Sequence, residues 1–243
     1  MTDNDKLDDT IADTIADEAL EQLSRAARAL RSDEAPGLTA IVAEAVAMIP
    51  SATWAGLSEL NRGRLAPRAT FGEPPSVLDR LQRELGLGPC VDAAREQRVV
   101  VIDDTGADER WPEFAAEAVR QGVRSMLCVP LWVDSLRLGT LSLYGEKNAA
   151  FGESERRLAA VYGTLAALAM ADGRRVAQLT LALETRDLIG QAKGVLMERL
   201  RITPDAAFEV LTRISQNANE RLASVAERIV RTGELPDQAR TTH

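Results

Sequence analysis

Arg186, Gly190, Lys193 and Met197 recur at spacings of four, three and four. That spacing puts two cations and a position without a side chain on one helical face, with Gly194 at its border. Each glycine costs a helix interior about 1 kcal/mol relative to alanine. The apolar pattern runs past both glycines, so neither can serve as a cap. A bare patch beside cations suits a close-approaching backbone, of nucleic acid or of protein. It also suits tight packing against a neighbouring helix with the cations solvated. Further on, Arg221, Ser224, Arg228 and Arg231 form a second stripe, with Glu220 and Glu227 nearby. Such a near-neutral surface suits a small specific site better than nonspecific adhesion.

Other chemistry has few carriers. The single histidine is His243, the final residue, which argues against Ser-His-Asp and Cys-His catalysis, histidine-bound zinc and haem. The two thiols are Cys90 and Cys128. Cys128, in "SMLCVPL", predicts a small buried apolar residue. Cys90, in a Gly-Pro loop, is expected to be open to solvent. Reactive thiols need groups that stabilise the thiolate, and none is evident, so the chain is not read as an enzyme. "VVVIDD" ends in paired acids, as the first strand of a phospho-receiver does. A receiver needs an acceptor aspartate on a later strand, and none lies between Asp134 and Asp172. Asp103 and Asp104 are therefore read as turn or cap residues.

These residues need elements to position them. The 243 residues suffice for two modest domains, and the 45% apolar content can supply their cores. The net charge of −8 confines any nucleic-acid surface to a local patch. No apolar run reaches the length of a membrane span, and no secretion signal is seen, so a cytoplasmic protein without membrane attachment is expected. Leu7, Ile11, Ile15, Ala19, Leu23, Ala26 and Leu30 predict an amphipathic N-terminal helix.

Helical patterns follow in "LTAIVAEAVAMI", "PSVLDRLQREL", "WPEFAAEAVRQG" and "GESERRLAAVYGTLAALAMA". Strands are predicted at "TWAGLSEL", "RLAPRATF", "RVVVID", "SMLCVPLWV" and "RLGTLSLYG". Few of these strands are followed by crossover helices, which predicts an antiparallel sheet with helices on its faces. Leu158, Val161, Leu165 and Leu168 form a short coiled-coil-like seam, interrupted near Gly173. From about Val176 the pattern is all-helical. Thr203 and Pro204 open a second helix there, and Asn219 is expected to cap a third.

The run from Ala182 to Val230 resembles an ANTAR domain, through Arg186, Ile189, Gln191-Ala192-Lys193-Gly194, Met197, Ala207-Phe208, Leu211, Ser215, Asn219, Leu222 and Ala226. The resemblance implies binding to loops of paired RNA hairpins in a nascent transcript, which disfavours a terminator hairpin. Hairpin loops splay bases outward, whereas A-form grooves hide their edges. On this reading Arg186 and Lys193 hold phosphate, Gly190 and Gly194 give clearance, Gln216 or Asn219 reads a base edge, and Arg221 joins the surface. Phe208 is expected in the core, leaving base stacking to Arg or Met.

The run from Leu85 to Glu155 resembles a GAF domain of the bacterial signalling type. The carriers are Gly88-Pro89-Cys90, Val101-Ile102-Asp103, Arg110-Trp111-Pro112, Gly122-Val123-Arg124-Ser125, Val129-Pro130-Leu131, Leu138-Gly139 and Phe151. With the preceding elements it covers about Leu38 to Ala171. The motifs of cyclic-nucleotide and bilin binders are missing, so no cofactor is named, and no metal or haem is expected. A small-molecule pocket is placed at Phe71, Cys90, Val91, Trp111, Phe114 and Met126.

Together the resemblances imply a GAF–ANTAR antitermination regulator of the actinobacterial type. Its fold is an α+β GAF-like domain followed by an all-α three-helix ANTAR domain, joined by a long helix. The expected divisions are an N-terminal helix over 1–35, a sensor over 36–172, the RNA-binding unit over 173–236 and a disordered tail over 237–243. Paired hairpins suit a homodimer. The alternatives are a noncatalytic protein–protein adaptor and, third, a thiol reductase on a GAF fold.

Overall fold

The structure, a computed structural model, describes residues 37–233 together with Glu21, Ser24, Arg25 and Arg28, which are helical. The apolar stripe from Leu7 to Leu30 and the tail from 237 onward lie outside the described residues. The chain divides into two units, one running to Gly173 and the other beginning at Arg174.

The first unit holds α1 (Leu38–Met48), β1 (Trp54–Asn61), β2 (Arg64–Phe71), α2 (Pro74–Leu85), α3 (Pro89–Glu96), β3 (Val100–Ile102), α4 (Pro112–Arg120), β4 (Ser125–Val133), β5 (Leu136–Gly145) and the start of α5 (Glu153–Leu200). The five strands form one sheet in the order β2-β1-β5-β4-β3, and every pairing is antiparallel.

The central strands read as nearly unbroken apolar runs because both of their faces are covered. Leu127, Val129 and Leu131 of β4, with Leu141 and Leu143 of β5, join α1 and α5 in one cluster that includes Ile41, Tyr162 and Ala166. The alternate residues Met126, Cys128 and Tyr144 join α2, α3 and α4 in the other, with Leu78, Cys90 and Phe114. This is the two-residue period of a strand sorted between two helical layers. Tyr162 Oη donates to the Ile41 carbonyl at 2.7 Å, tying α5 to α1. Gly139 lets β5 lie against β1. Its φ is +155°, and a Cβ there would stand 1.9 Å from the Ser58 carbonyl oxygen.

One reading needs correction here. Pro89–Glu96 is a helix rather than a loop, with Pro89 in its first turn, and Cys90 is buried at 2% exposure. The expected long joining helix is present and runs through Gly173 unbroken over 48 residues. Within the seam, Leu158 and Leu165 pack against the unit's own core, while Val161 and Leu168 remain 48% and 46% exposed.

The second unit combines the C-terminal part of α5 with α6 (Pro204–Ala218) and α7 (Leu222–Thr232). Thr203 caps α6 by accepting from the Ala206 N–H at 3.3 Å. Ala192, Leu196, Ala207, Leu211, Ile214, Val225 and Ile229 form its core. Asn219 does not cap the third helix: it ends α6 in the left-handed region, at φ 51°. Arg221 occupies the position before α7, without a side-chain cap bond. Asparagine tolerates that left-handed backbone better than most residues, which explains its place at the turn.

Candidate nucleic-acid interface

Helix α5 displays Arg186, Gly190 and Gly194 exposed, with Lys193 half-buried. Apart from the helix's own backbone, nothing lies within 4 Å of where a Cβ would stand on Gly190 or Gly194. Packing inside the unit therefore does not account for either glycine. Arg186 and Lys193 are in no ion pair among the described residues, which leaves both cations available to an anion.

Phe208 departs from its expected place in the core. It is 44% exposed on α6, and Lys193 Nζ lies 6.0 Å from its ring centroid. The ring also edges a shallow, mostly apolar groove with Leu181, Thr185, Arg186 and Ile189. An aromatic face, a guanidinium and an ammonium thus border one surface beside two open glycines. Such a surface can stack a base and hold the flanking phosphates. The neighbouring Ala207 is the one that is buried, so the helical period could have separated the two.

Gln216, Asn219 and Arg221 are all exposed at the turn between α6 and α7. The turn is held by the Asn219 N–H donating to the Gln216 carbonyl at 3.2 Å, by Ser215 Oγ donating to the Glu220 carbonyl at 2.6 Å, and by Arg228 on Glu220 at 2.6 Å. Arg228 of the second stripe is thereby engaged within the chain.

In the first unit, Cys90, Phe114 and Met126 meet in one buried cluster, with Val91 and Trp111 packed against it. Phe71 is not among them, being 42% exposed at the end of β2. Of the six, Val91 alone lines a cavity described below. Arg110 lies over the Trp111 ring at 4.4 Å, and Trp111 Nε1 donates to Asp92 at 3.2 Å.

In and beside this cluster lie two buried polar groupings that the sequence reading missed. Tyr144 Oη donates to Asp79 Oδ1 at 2.6 Å, and Asp79 Oδ2 has no partner. Burial pushes the Asp79 carboxyl up to about 7, with the Tyr144 bond working in the opposite direction. Cys90 Sγ lies 2.9 Å from Ser142 Oγ and 3.5 Å from Cys128 Sγ. Gln82 clasps Cys90, with Nε2 donating to the sulfur at 3.1 Å and Oε1 accepting from the backbone N–H at 2.8 Å. Burial foremost, then the Cys90 neighbour, pushes the Cys128 thiol well above its ordinary range. Two thiols shut from solvent in this way are poorly placed to meet a substrate.

Comparison with known proteins adds two family matches. A model of the GAF domain matches residues 8–171, and one of the ANTAR domain matches residues 177–230. No curated protein matches the chain. Among solved structures, the GAF domain of an Acinetobacter phosphoenolpyruvate-protein phosphotransferase is similar, with 16% identity over 66% of this chain and 98% of that one and a TM-score of 0.54. A free methionine-R-sulfoxide reductase from Neisseria meningitidis, in complex with its substrate, shares 20% identity over 65% and 91%, with a TM-score of 0.52. A putative GAF sensor protein from Burkholderia vietnamiensis shares 18% over 66% and 92%, with a TM-score of 0.51. At such identities these likenesses concern the fold alone.

Proposed function

We propose, since the chain belongs to the GAF domain family and carries an ANTAR domain behind it, that it is a signal-responsive regulator binding hairpin loops of nascent transcripts to promote antitermination. ANTAR domains are RNA-binding antitermination modules and GAF domains sense signals, so the architecture is that of a regulator. The surface around Phe208 carries the reading for this chain. Lys193 and Arg186 hold phosphate, Phe208 stacks a base, and Gly190 and Gly194 let the RNA backbone approach. Gln216, Asn219 and Arg221 extend the surface at the α6–α7 turn.

The protein acts in the cytoplasm as a homodimer, one second unit for each hairpin of a pair, through the exposed apolar positions of α5. No helix among the described residues is long and apolar enough to cross a membrane. No catalytic role is assigned to Cys90 or Cys128, and the burial of both supports that reading over a thiol reductase.

The test is binding to a paired-hairpin RNA across a salt series. Lys193→Ala removes one phosphate contact, so affinity falls and the slope of log K against log salt becomes shallower by about 0.7–0.9. Phe208→Ala weakens binding by about 1–3 kcal/mol at every salt concentration, as expected for a lost stacking contact. Unchanged affinity in both folded variants overturns the assignment. Affinity equal for hairpin and unrelated single strands would favour nonspecific adhesion instead.

A further inference from the structure

A cavity of about 350 Å³ opens in the first unit beside the β1–β2 hairpin. Its apolar lining is Leu60, Leu65, Val91 and Ala94, and its rim holds Arg64, Arg83, Arg95 and Arg137. The four arginines come from β2, α2, α3 and β5, so separate elements bring them to one cavity. Arg95 is drawn to Asp92 at 2.5 Å. Arg64, Arg83 and Arg137 have no ion pair among the described residues. In a chain of net charge −8, four arginines around one small cavity run against the overall balance. Their mutual repulsion is relieved by a bound anion, which guanidinium forks take in bidentate fashion.

The wall of the cavity is preformed. Gln82, which lines it, is buried, and both ends of its carboxamide are committed to Cys90. An apolar lining with a few convergent charges at the mouth is the general pattern of a small-molecule pocket.

We propose that this cavity binds an amphipathic anion, with a carboxylate or phosphate head on the arginine rim and an apolar body against Leu60, Leu65, Val91 and Ala94. This site differs from the aromatic cluster around Trp111 and Phe114. The proposal rests on the sensor reading of the first unit for its regulatory meaning only. Binding is measured without RNA, so its failure and that of the RNA reading are distinguishable.

The experiment is titration of the full chain with octanoate, octyl phosphate, octanol and inorganic phosphate, all below any micelle threshold. Calorimetry and the thermal midpoint of tryptophan fluorescence are the readouts. Saturable binding is expected for octanoate, octyl phosphate or both, and which of them binds identifies the head group. Octanol and inorganic phosphate, each lacking one half of the chemistry, bind at least roughly tenfold more weakly, the scale of one charge-assisted hydrogen bond. Arg64→Gln with Arg137→Gln, both at exposed strand positions, weakens the amphiphile to the same extent while the midpoint without ligand does not fall. If that pair proves unstable, Ala94→Leu fills the cavity from its lining and abolishes binding. Overturning results are no saturable binding by either amphiphile, octanol binding as tightly as octanoate, or full binding by the folded arginine variant.

Discussion

Asp79→Asn tests the buried Asp79–Tyr144 pair through its pH dependence. In the folded protein the Asp79 carboxyl sits at about 7, against an ordinary 3.8, because burial disfavours its charged form. Below the lower value, folded and unfolded states are both protonated. Between the two, the folded state keeps a proton that the unfolded state releases, so stability falls as pH rises. Above the upper value the loss is complete. At about 1.4 kcal/mol per pH unit, the whole window amounts to about 4 kcal/mol. Asparagine cannot titrate, yet its carbonyl can still accept from Tyr144. Its amide replaces the partnerless Oδ2, an offset of about 1–3 kcal/mol that does not vary with pH. The stability of the Asn variant relative to the parent should therefore climb by about 2 kcal/mol between about pH 5.5 and about pH 8. Other titrating groups cancel in that difference. Urea unfolding followed by tryptophan fluorescence is the assay, because Trp54, Trp111 and Trp132 are the chain's three tryptophans and all lie in the first unit. Parallel pH curves for the two proteins would refute the reasoning.

Gly139→Ala should destabilise the first unit by about 2 kcal/mol or more, since both the backbone angle and the Ser58 carbonyl oppose a side chain; an unchanged urea midpoint counts against it. Thr203→Ala should cost the second unit about 1 kcal/mol by removing the cap of α6, read as a lower thermal midpoint in helical circular dichroism. Val161→Glu with Leu168→Glu alters the two seam positions left exposed without cutting into the core. It should convert a dimer to monomers in sedimentation, and a parent already monomeric at working concentration would remove the dimer proposal.

How far the sequence foretold this structure depends on how locally each feature is encoded. The β4–β5 hairpin was legible because "SMLCVPLWV" and "RLGTLSLYG" are apolar runs of strand length around Asp134, whose φ of 52° suits the turn. Helix α3 was missed because a Gly-Pro pair reads as a loop, while Pro89 in fact opens the helix. Asp79 was missed although its helical register is informative: Pro75, Leu78, Asp79 and Gln82 are the core-facing positions of α2. An acid and an amide on that face announce a buried polar site. Phe208 lies outside the core where the sequence reading puts it, because α6 turns Ala207 inward and leaves Phe208 at the surface. The cavity rimmed by arginine lay beyond reach, since its charges come from four elements whose proximity only the fold creates.

The two open glycines of α5 bear on function through what they fail to do internally. Together they cost the helix about 2 kcal/mol of propensity relative to alanine. Neither relieves a clash, since nothing stands within 4 Å of a Cβ at either position. Neither ends the helix, which continues to Leu200. A purely structural role therefore predicts that Gly190→Ala with Gly194→Ala raises stability and changes nothing else. The RNA reading predicts a split: the second unit melts higher, and affinity for paired hairpins falls because two methyl groups hold the RNA backbone away from Lys193 and Arg186. Serine at the same two positions separates bulk from polarity, because it adds a hydrogen-bonding group while still removing the clearance. A double-alanine variant that is more stable and binds RNA with full affinity would leave the glycines without a role at this surface.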